Sequence, residues 1–232
     1  MRRIPRAGQG MHETRGGRMG VWEKAIRKIP DPVVRELASR GRIRSFAKNS
    51  LIIREHDCGG ALFVILSGRV KVYVSGAKGR EMVLDHYGAT DYVGEMALDG
   101  RPRSASVCTL EPTVCSVVAR AALRSAIGAD PEIAMRMIAT LIGRARNATA
   151  NVKSLALMDV YGRVARLLLS LEYVECDGVR LLRERLTQRE IANRVGASRD
   201  MISRILKDLR TGGYIGMREQ RIMILRRPPA RW

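Results

Sequence analysis

The stretch Leu186-Thr187-Gln188-Arg189-Glu190-Ile191-Ala192-Asn193-Arg194-Val195-Gly196-Ala197-Ser198-Arg199-Asp200-Met201-Ile202-Ser203-Arg204-Ile205-Leu206-Lys207 decides how the chain is read. Thr187 followed three residues later by Glu190 has the pattern of a capping box, in which each side chain satisfies the other residue's backbone N–H at the start of a helix. Ile191, Ala192 and Val195 then share one face, and Ala192 is small enough for a second helix to cross closely. Gly196 can take the left-handed backbone that ends a helix, and Ser198 is placed to cap the next one. Met201, Ile202, Ile205 and Leu206 are expected to anchor that second helix. Arg199, Asp200, Ser203 and Arg204 are left facing outward, with Lys207 one turn beyond.

Two short helices joined at a glycine, the second with a polar outer face, form a helix-turn-helix. The residue types suit base edges: Arg can donate twice to guanine O6 and N7, and a carboxylate accepts from cytosine N4. Asp200 makes sense on such a face only if it takes a base proton or steers Arg204, because phosphates repel it. Charge agrees with a polyanionic partner. The 232 residues carry a formal net charge of +19, which favours nucleic acid before any specific contact is made. Residues 187–232 hold eleven Lys/Arg against four Asp/Glu, and residues 1–20 hold five Arg against one Glu.

Outward from the motif, Tyr214-Ile215-Gly216 and Arg221 to Leu225 read as a small hairpin, a wing. Upstream, a helix is expected from about Tyr161 to Glu172, followed by an Asp177-Gly178 turn and a basic helical segment. Further upstream, Ile138, Leu141, Ala145, Ala148, Val152 and Leu155 recur at alternating steps of three and four, the seam of a coiled coil, which predicts a second copy of the chain as partner. From Leu51 to Val118 the period changes. Short apolar runs at 51–53, 62–66, 70–74 and 114–118 alternate with turn signals at Ser67-Gly68, Gly76, Gly79 and Asp99-Gly100, the mark of an antiparallel barrel or jelly roll. A helical stretch from Val21 to Arg40, broken near Pro30 and Pro32, leads into it. The fold class is therefore α+β: residues 1–20 a flexible basic tail, 21–130 a sensing β-roll, 131–158 a dimerisation helix, and 159–232 a winged helix-turn-helix DNA-binding domain.

Two motifs in this order resemble the cyclic-AMP receptor protein and fumarate–nitrate regulator family over roughly residues 25–225. One is Gly94-Glu95-Met96-Ala97-Leu98-Asp99-Gly100-Arg101-Pro102-Arg103-Ser104-Ala105, similar to the family's phosphate-binding cassette. The other is the helix-turn-helix, preceded by Leu155 to Ala165, similar to the family's hinge. The resemblance implies an effector site at Gly94, Glu95, Met96, Arg103, Ser104, Ala105, Ala148 and Thr149, with Glu95 on a ribose 2′-hydroxyl and Arg103 and Ser104 on a cyclic phosphate. It implies DNA contacts from Thr187, Ser198, Arg199, Asp200, Ser203, Arg204 and Lys207, a TGTGA-like half-site in an inverted repeat, a homodimer, and contact with RNA polymerase. The cassette is one or two residues shorter than usual. The family's adenine-contacting Thr-Ser pair aligns with Ala148 and Thr149, so one hydroxyl is absent. Cyclic AMP or cyclic GMP is the implied effector, and cyclic di-GMP is the alternative. A Glu95–Arg103 ion pair in a domain without ligand, and a ligand-independent DNA-binding protein of the same fold, stay open beside these. Arg144 and Arg146 are read as solvated flanks of the coiled coil, available to help with further phosphates or guanines.

Other classes find little support. His12, His56 and His86 lie apart, and no nucleophile elbow or nucleotide-hydrolysing loop occurs, so no enzyme and no catalytic residue are expected. Cys58, Cys108, Cys115 and Cys176 form no C-x-x-C pair, so no metal site is expected. No apolar run approaches the roughly 20 residues of a membrane span. A cytoplasmic location follows as the expectation.

Overall fold

The computed structural model describes residues 12–13, 19–176 and 179–229. Asp31 separates the first two helices, α1 (Met19–Arg27) and α2 (Pro32–Ser39). Its carboxylate accepts from the backbone N–H of Val33 at 2.8 Å and of Val34 at 3.2 Å. Pro32 stands in the first turn of α2, where a missing N–H costs nothing.

Eight strands follow: β2 (Arg42–Phe46), β3 (Leu51–Ile53), β4 (Leu62–Ser67), β5 (Val70–Ser75), β6 (Glu81–Tyr87), β7 (Tyr92–Val93), β8 (Ser106–Thr109) and β9 (Thr113–Val118). They make two sheets, one ordered β1-β2-β9-β4-β7, with β1 being His12–Glu13, and one ordered β3-β8-β5-β6. Between them lies an interior taken from both: Phe46, Ile53, Ile65, Val70, Val93, Val107 and Cys115. This is the expected β-roll. The four apolar runs are β3, β4, β5 and β9. Strands β2, β6, β7 and β8 escaped notice because they are short or carry charged residues between apolar ones, as in Arg42-Ile43-Arg44.

Within the expected basic tail, residues 12–13 and 19–20 belong to regular elements. His12–Glu13 pairs antiparallel with β2, His12 opposite Ser45 and Glu13 opposite Arg44, and Met19 already begins α1. A strand edge supplies backbone hydrogen bonds that need no large side chains. The remainder of the expected tail, 1–11 and 14–18, lies outside the described residues.

Two helices complete this part, α3 (Arg120–Ala129) and the 26-residue α4 (Glu132–Leu157). Ile133 and Met137 on the first turns of α4 join a second apolar cluster with Leu37, Leu62, Val64, Tyr92, Val118 and Leu123. Further along α4, Ile138, Leu141, Val152 and Leu155 of the expected seam are exposed in the single chain. The chain divides into two compact units, residues 1–76 with 83–144 and residues 77–82 with 145–232.

In the second unit Asp159 caps α5 (Val160–Ser170), its carboxylate accepting from Gly162 N at 2.7 Å. Next come β10 (Tyr173–Cys176), β11 (Val179–Leu182), α6 (Gln188–Val195), α7 (Arg199–Thr211), β12 (Ile215–Arg218) and β13 (Arg221–Ile224). The basic helical segment expected after Asp177-Gly178 begins instead as strand β11. Its register with β10 runs from Tyr173 opposite Leu182 to Cys176 opposite Val179. Asp-Gly is a two-residue hairpin signal, and Leu181 and Leu182 are buried residues of the sheet β10-β11-β13-β12. The turn residues themselves, 177–178, lie outside the described residues. The wing is the hairpin β12–β13, with Glu219 and Gln220 in left-handed conformation at its tip (φ 51° and 62°). Tyr161, Val164, Leu168, Leu182, Ile191, Ile202, Leu209, Ile215 and Ile222 form the core of this unit.

Candidate DNA interface and effector cassette

The caps of the helix-turn-helix are formed as the sequence predicts. Thr187 Oγ1 accepts from Glu190 N at 3.2 Å, while Glu190 Oε2 accepts from Thr187 N at 2.7 Å and from Thr187 Oγ1 at 2.8 Å. Gly196 ends α6 at φ 68° and ψ 46°. Ser198 Oγ accepts from Met201 N at 3.2 Å and so starts α7. Thr187 and Ser198 thus spend their side chains on helix ends. Ile202, Ile205 and Leu209 are the buried anchors of α7, with Leu206 packed partly against the core, and Met201 is exposed, contrary to expectation. Position 201 lies about 40° from 205 but about 100° from 202, at the margin of the buried face and not within it.

Arg199, Asp200, Arg204 and Lys207 are exposed, and Ser203 is half-buried. Gln188, overlooked in the sequence, comes within 3.5 Å of Ser203 Oγ through its Nε2, so the first helix helps orient a hydroxyl of the second. Two further ties hold the motif. Arg194 makes a bidentate, largely buried pair with Glu184, at 2.7 Å and 2.9 Å. Arg163 donates from Nε to Val195 O at 2.8 Å and from Nη1 to Met158 O at 2.8 Å, satisfying carbonyls at the ends of α6 and α4.

In the first unit the cassette begins with a constraint at Gly94, whose φ is +91°. A Cβ there would lie 2.8 Å from Ala61 O and 2.8 Å from Arg103 Nη1, so no side chain fits. The next turn, Glu95–Asp99, is 3₁₀. Arg103 folds back over Gly94, donating from Nη1 to Gly94 O at 2.6 Å and from Nη2 to Ala61 O at 2.8 Å. Only 8% of Arg103 is exposed, and burial weakens its hold on its proton, an effect that Glu95 opposes. Ser104 Oγ is exposed and contacts Met96 Sδ at 3.1 Å, a weak acceptor. Ala105 lies half-buried just before β8.

Glu95, buried to 8% exposure, does not pair with Arg103. Its Oε1 meets Arg144 Nη1 of α4 at 2.8 Å. Arg144 therefore is no solvated flank. It also donates from Nη2 to Tyr92 O at 2.6 Å. Arg146 is exposed, as read. Nothing local in the sequence marks Arg144, since its partners lie some fifty residues upstream. Ala148 and Thr149 are exposed on α4 in the second unit, and the Thr149 hydroxyl donates to Ala145 O at 3.0 Å. Among the described residues no group of His, Cys, Asp and Glu is arranged to hold a metal, and no helix is long and apolar enough to cross a membrane.

Comparisons with known proteins agree on both modules. Residues 43–130 match the cyclic nucleotide-binding domain, and residues 162–228 match the Crp-like helix-turn-helix domain. Together these modules define a DNA-binding transcription regulator carrying a cyclic-nucleotide-binding domain. A CRP-like cAMP-activated global transcriptional regulator of Mycobacterium tuberculosis is 34% identical over 183 residues, covering 77% of this chain and 82% of its own. The cAMP-activated global regulator CRP of Escherichia coli is 30% identical over 203 residues, covering 84% and 94%. Among solved structures, the c-di-GMP-responsive global regulator CLP of Xanthomonas campestris superposes with a TM-score of 0.76 at 25% identity, covering 84% of this chain and 98% of that one. The chain belongs to the Crp/Fnr family of transcription regulators.

Proposed function

We propose that the protein is a homodimeric regulator that reads an inverted-repeat operator through α7 and responds to a cyclic mononucleotide held by the cassette. The observation that carries the effector reading is a charge count. Two withdrawn guanidinium groups, Arg103 and Arg144, are set around one buried carboxylate, Glu95. One positive charge is left over, and buried charge is costly unless balanced. A cyclic mononucleotide carries a single negative charge on its phosphate. In this reading Arg103 and Ser104 hold that phosphate, with Gly94, Met96 and Ala105 shaping the loop. Ser104 gives up only a contact to sulfur to do so. Glu95 accepts from the ribose 2′-hydroxyl, because an ionised carboxylate bonded to one guanidinium N–H keeps further lone pairs. Cyclic AMP and cyclic GMP both meet these demands, and base recognition falls outside the cassette.

Arg199, Asp200, Ser203, Arg204 and Lys207 make the base and phosphate contacts on a half-site resembling TGTGA, and the apolar stripe of α4 joins two copies. The division proposed is 21–130 for sensing, 131–158 for dimerisation and 159–232 for DNA binding, in the cytoplasm. A second reading, cyclic di-GMP as effector, is favoured by the missing hydroxyl at Ala148 and by the likeness to the c-di-GMP-responsive regulator.

Calorimetric titration with cyclic AMP, cyclic GMP and cyclic di-GMP, each followed by operator titration, separates these. Binding of a mononucleotide that tightens operator binding is the expected result. Response to cyclic di-GMP alone favours the second reading, and indifference to all three removes the effector from the account.

A further inference from the structure

Tyr87 and Tyr92 offer their ring faces to the same cation. The Arg144 Cζ lies 4.4 Å from the centroid of Tyr87 and 5.0 Å from that of Tyr92, within the range where a ring face attracts a guanidinium. The edge of that guanidinium is engaged by Glu95 Oε1 and Tyr92 O. The two rings are rooted differently. Tyr92 is buried in the cluster shared with Leu62, Leu123 and Met137, whereas Tyr87 ends β6 and packs on the interior between the sheets with Phe46 and Ile53. Arg144 is thereby held against two separately anchored walls. Burial alone would loosen the Arg144 proton, but Glu95 and then the tyrosines outweigh it, so the guanidinium stays charged. The Tyr87 phenol stays neutral, held above its ordinary range by burial against the pull of Arg144, with Asp85 adding to the effect.

We infer that Tyr87 is a positioning residue for effector recognition: its ring face fixes the Arg144 guanidinium, and Arg144 in turn orients the Glu95 carboxylate toward the ribose hydroxyl. This rests on the cyclic-nucleotide reading of the cassette. Arg is the side chain for this task because its flat cation can stack and bond edge-on together, which Lys cannot do. Without the ring, Arg144 gains rotamers, and Glu95 follows it. The penalty falls on the contact that Glu95 makes, the 2′-hydroxyl, and spares the phosphate contacts of Arg103, which is held independently by Gly94 O and Ala61 O.

The test compares cyclic AMP with 2′-deoxy cyclic AMP, and cyclic GMP with its 2′-deoxy form, on full-length wild type, Tyr87→Leu and Tyr87→Phe. Wild type and Tyr87→Phe should prefer the ribonucleotide by about tenfold, the size of one hydrogen bond to a charged group. Tyr87→Leu should bring that preference below about twofold while the deoxy compound binds nearly as before. A general loosening of the fold weakens both ligands alike and overturns the inference, as does a preference that survives in Tyr87→Leu or one that Phe fails to restore. A melting-temperature cycle of Tyr87→Leu, Arg144→Met and the double variant needs no nucleotide. Losses that overlap in the double variant support the clamp, and additive losses overturn it. If wild type binds no cyclic nucleotide, that cycle still decides about Tyr87, and the failure belongs to the effector reading.

Discussion

Arg199, Asp200 and Arg204 stand clear of the protein because Ile202, Ile205 and Leu209 hold the opposite side of α7 in the core. An arginine that reads a base contributes to one sequence, and an arginine that meets a phosphate contributes to all of them. Arg204→Ala should therefore weaken binding to the operator by about 1–3 kcal/mol and leave random DNA nearly untouched, measured by fluorescence anisotropy at one fixed salt concentration. Gly94→Ala should abolish cyclic-nucleotide binding in calorimetry, since the added methyl group collides with Ala61 O and Arg103. The cysteines divide by environment. Burial pushes the Cys115 thiol up to about 12 from an ordinary 9.0, while Cys58 is exposed. Iodoacetamide at pH 8 should modify Cys58 in the folded protein and reach Cys115 only on unfolding. The raised thiol contributes its share of stability in full below about pH 9 and loses it as the pH climbs toward 12. Stability in that alkaline window should thus fall less steeply in Cys115→Val.

Local elements were the most legible in advance. The capping box, Gly196 and the Ser198 cap each depend on residues within four positions, so α6, α7 and their turn could be placed from spacing alone. The wing followed from two short segments, Tyr214 to Gly216 and Arg221 to Leu225, placed just after the helix-turn-helix. Where the outcome depends on partners far along the chain, sequence spacing failed. Strand β11 is decided by pairing with β10 and β13, and Arg180 together with Arg183 and Arg185 just beyond it gave it the look of a basic helix. Arg144 looks like any charged residue of a coiled coil until α4 is laid beside β7 and the cassette. Met201 was misplaced by one step of the helical wheel, enough to turn an anchor into an exposed side chain. Thr187→Ala, which removes one cap, should cost about 1 kcal/mol. In urea denaturation that loss should appear only in the unfolding of the C-terminal unit.

At the scale of the whole molecule, the apolar stripe on α4 is the feature that a single chain leaves unexplained. Val152 is 64% exposed, and Ile138, Leu141 and Leu155 follow the same repeat. A seam built from such residues is disrupted by one buried charge. If α4 joins two copies as proposed, Val152→Glu should sediment as a monomer at concentrations that keep the wild type paired, and should lose operator affinity more than affinity for a single half-site. Arg163 adds a consequence of another kind. One guanidinium grips the last carbonyl of α6 and the carbonyl just past α4, so the end of α6 and the end of α4 cannot shift separately without breaking it. Thermodynamic influence along such a strut runs both ways with equal magnitude. In the proposed effector response, operator duplex added first should tighten the cyclic nucleotide by the same factor by which the nucleotide tightens the operator, and Arg163→Gln should shrink both factors together.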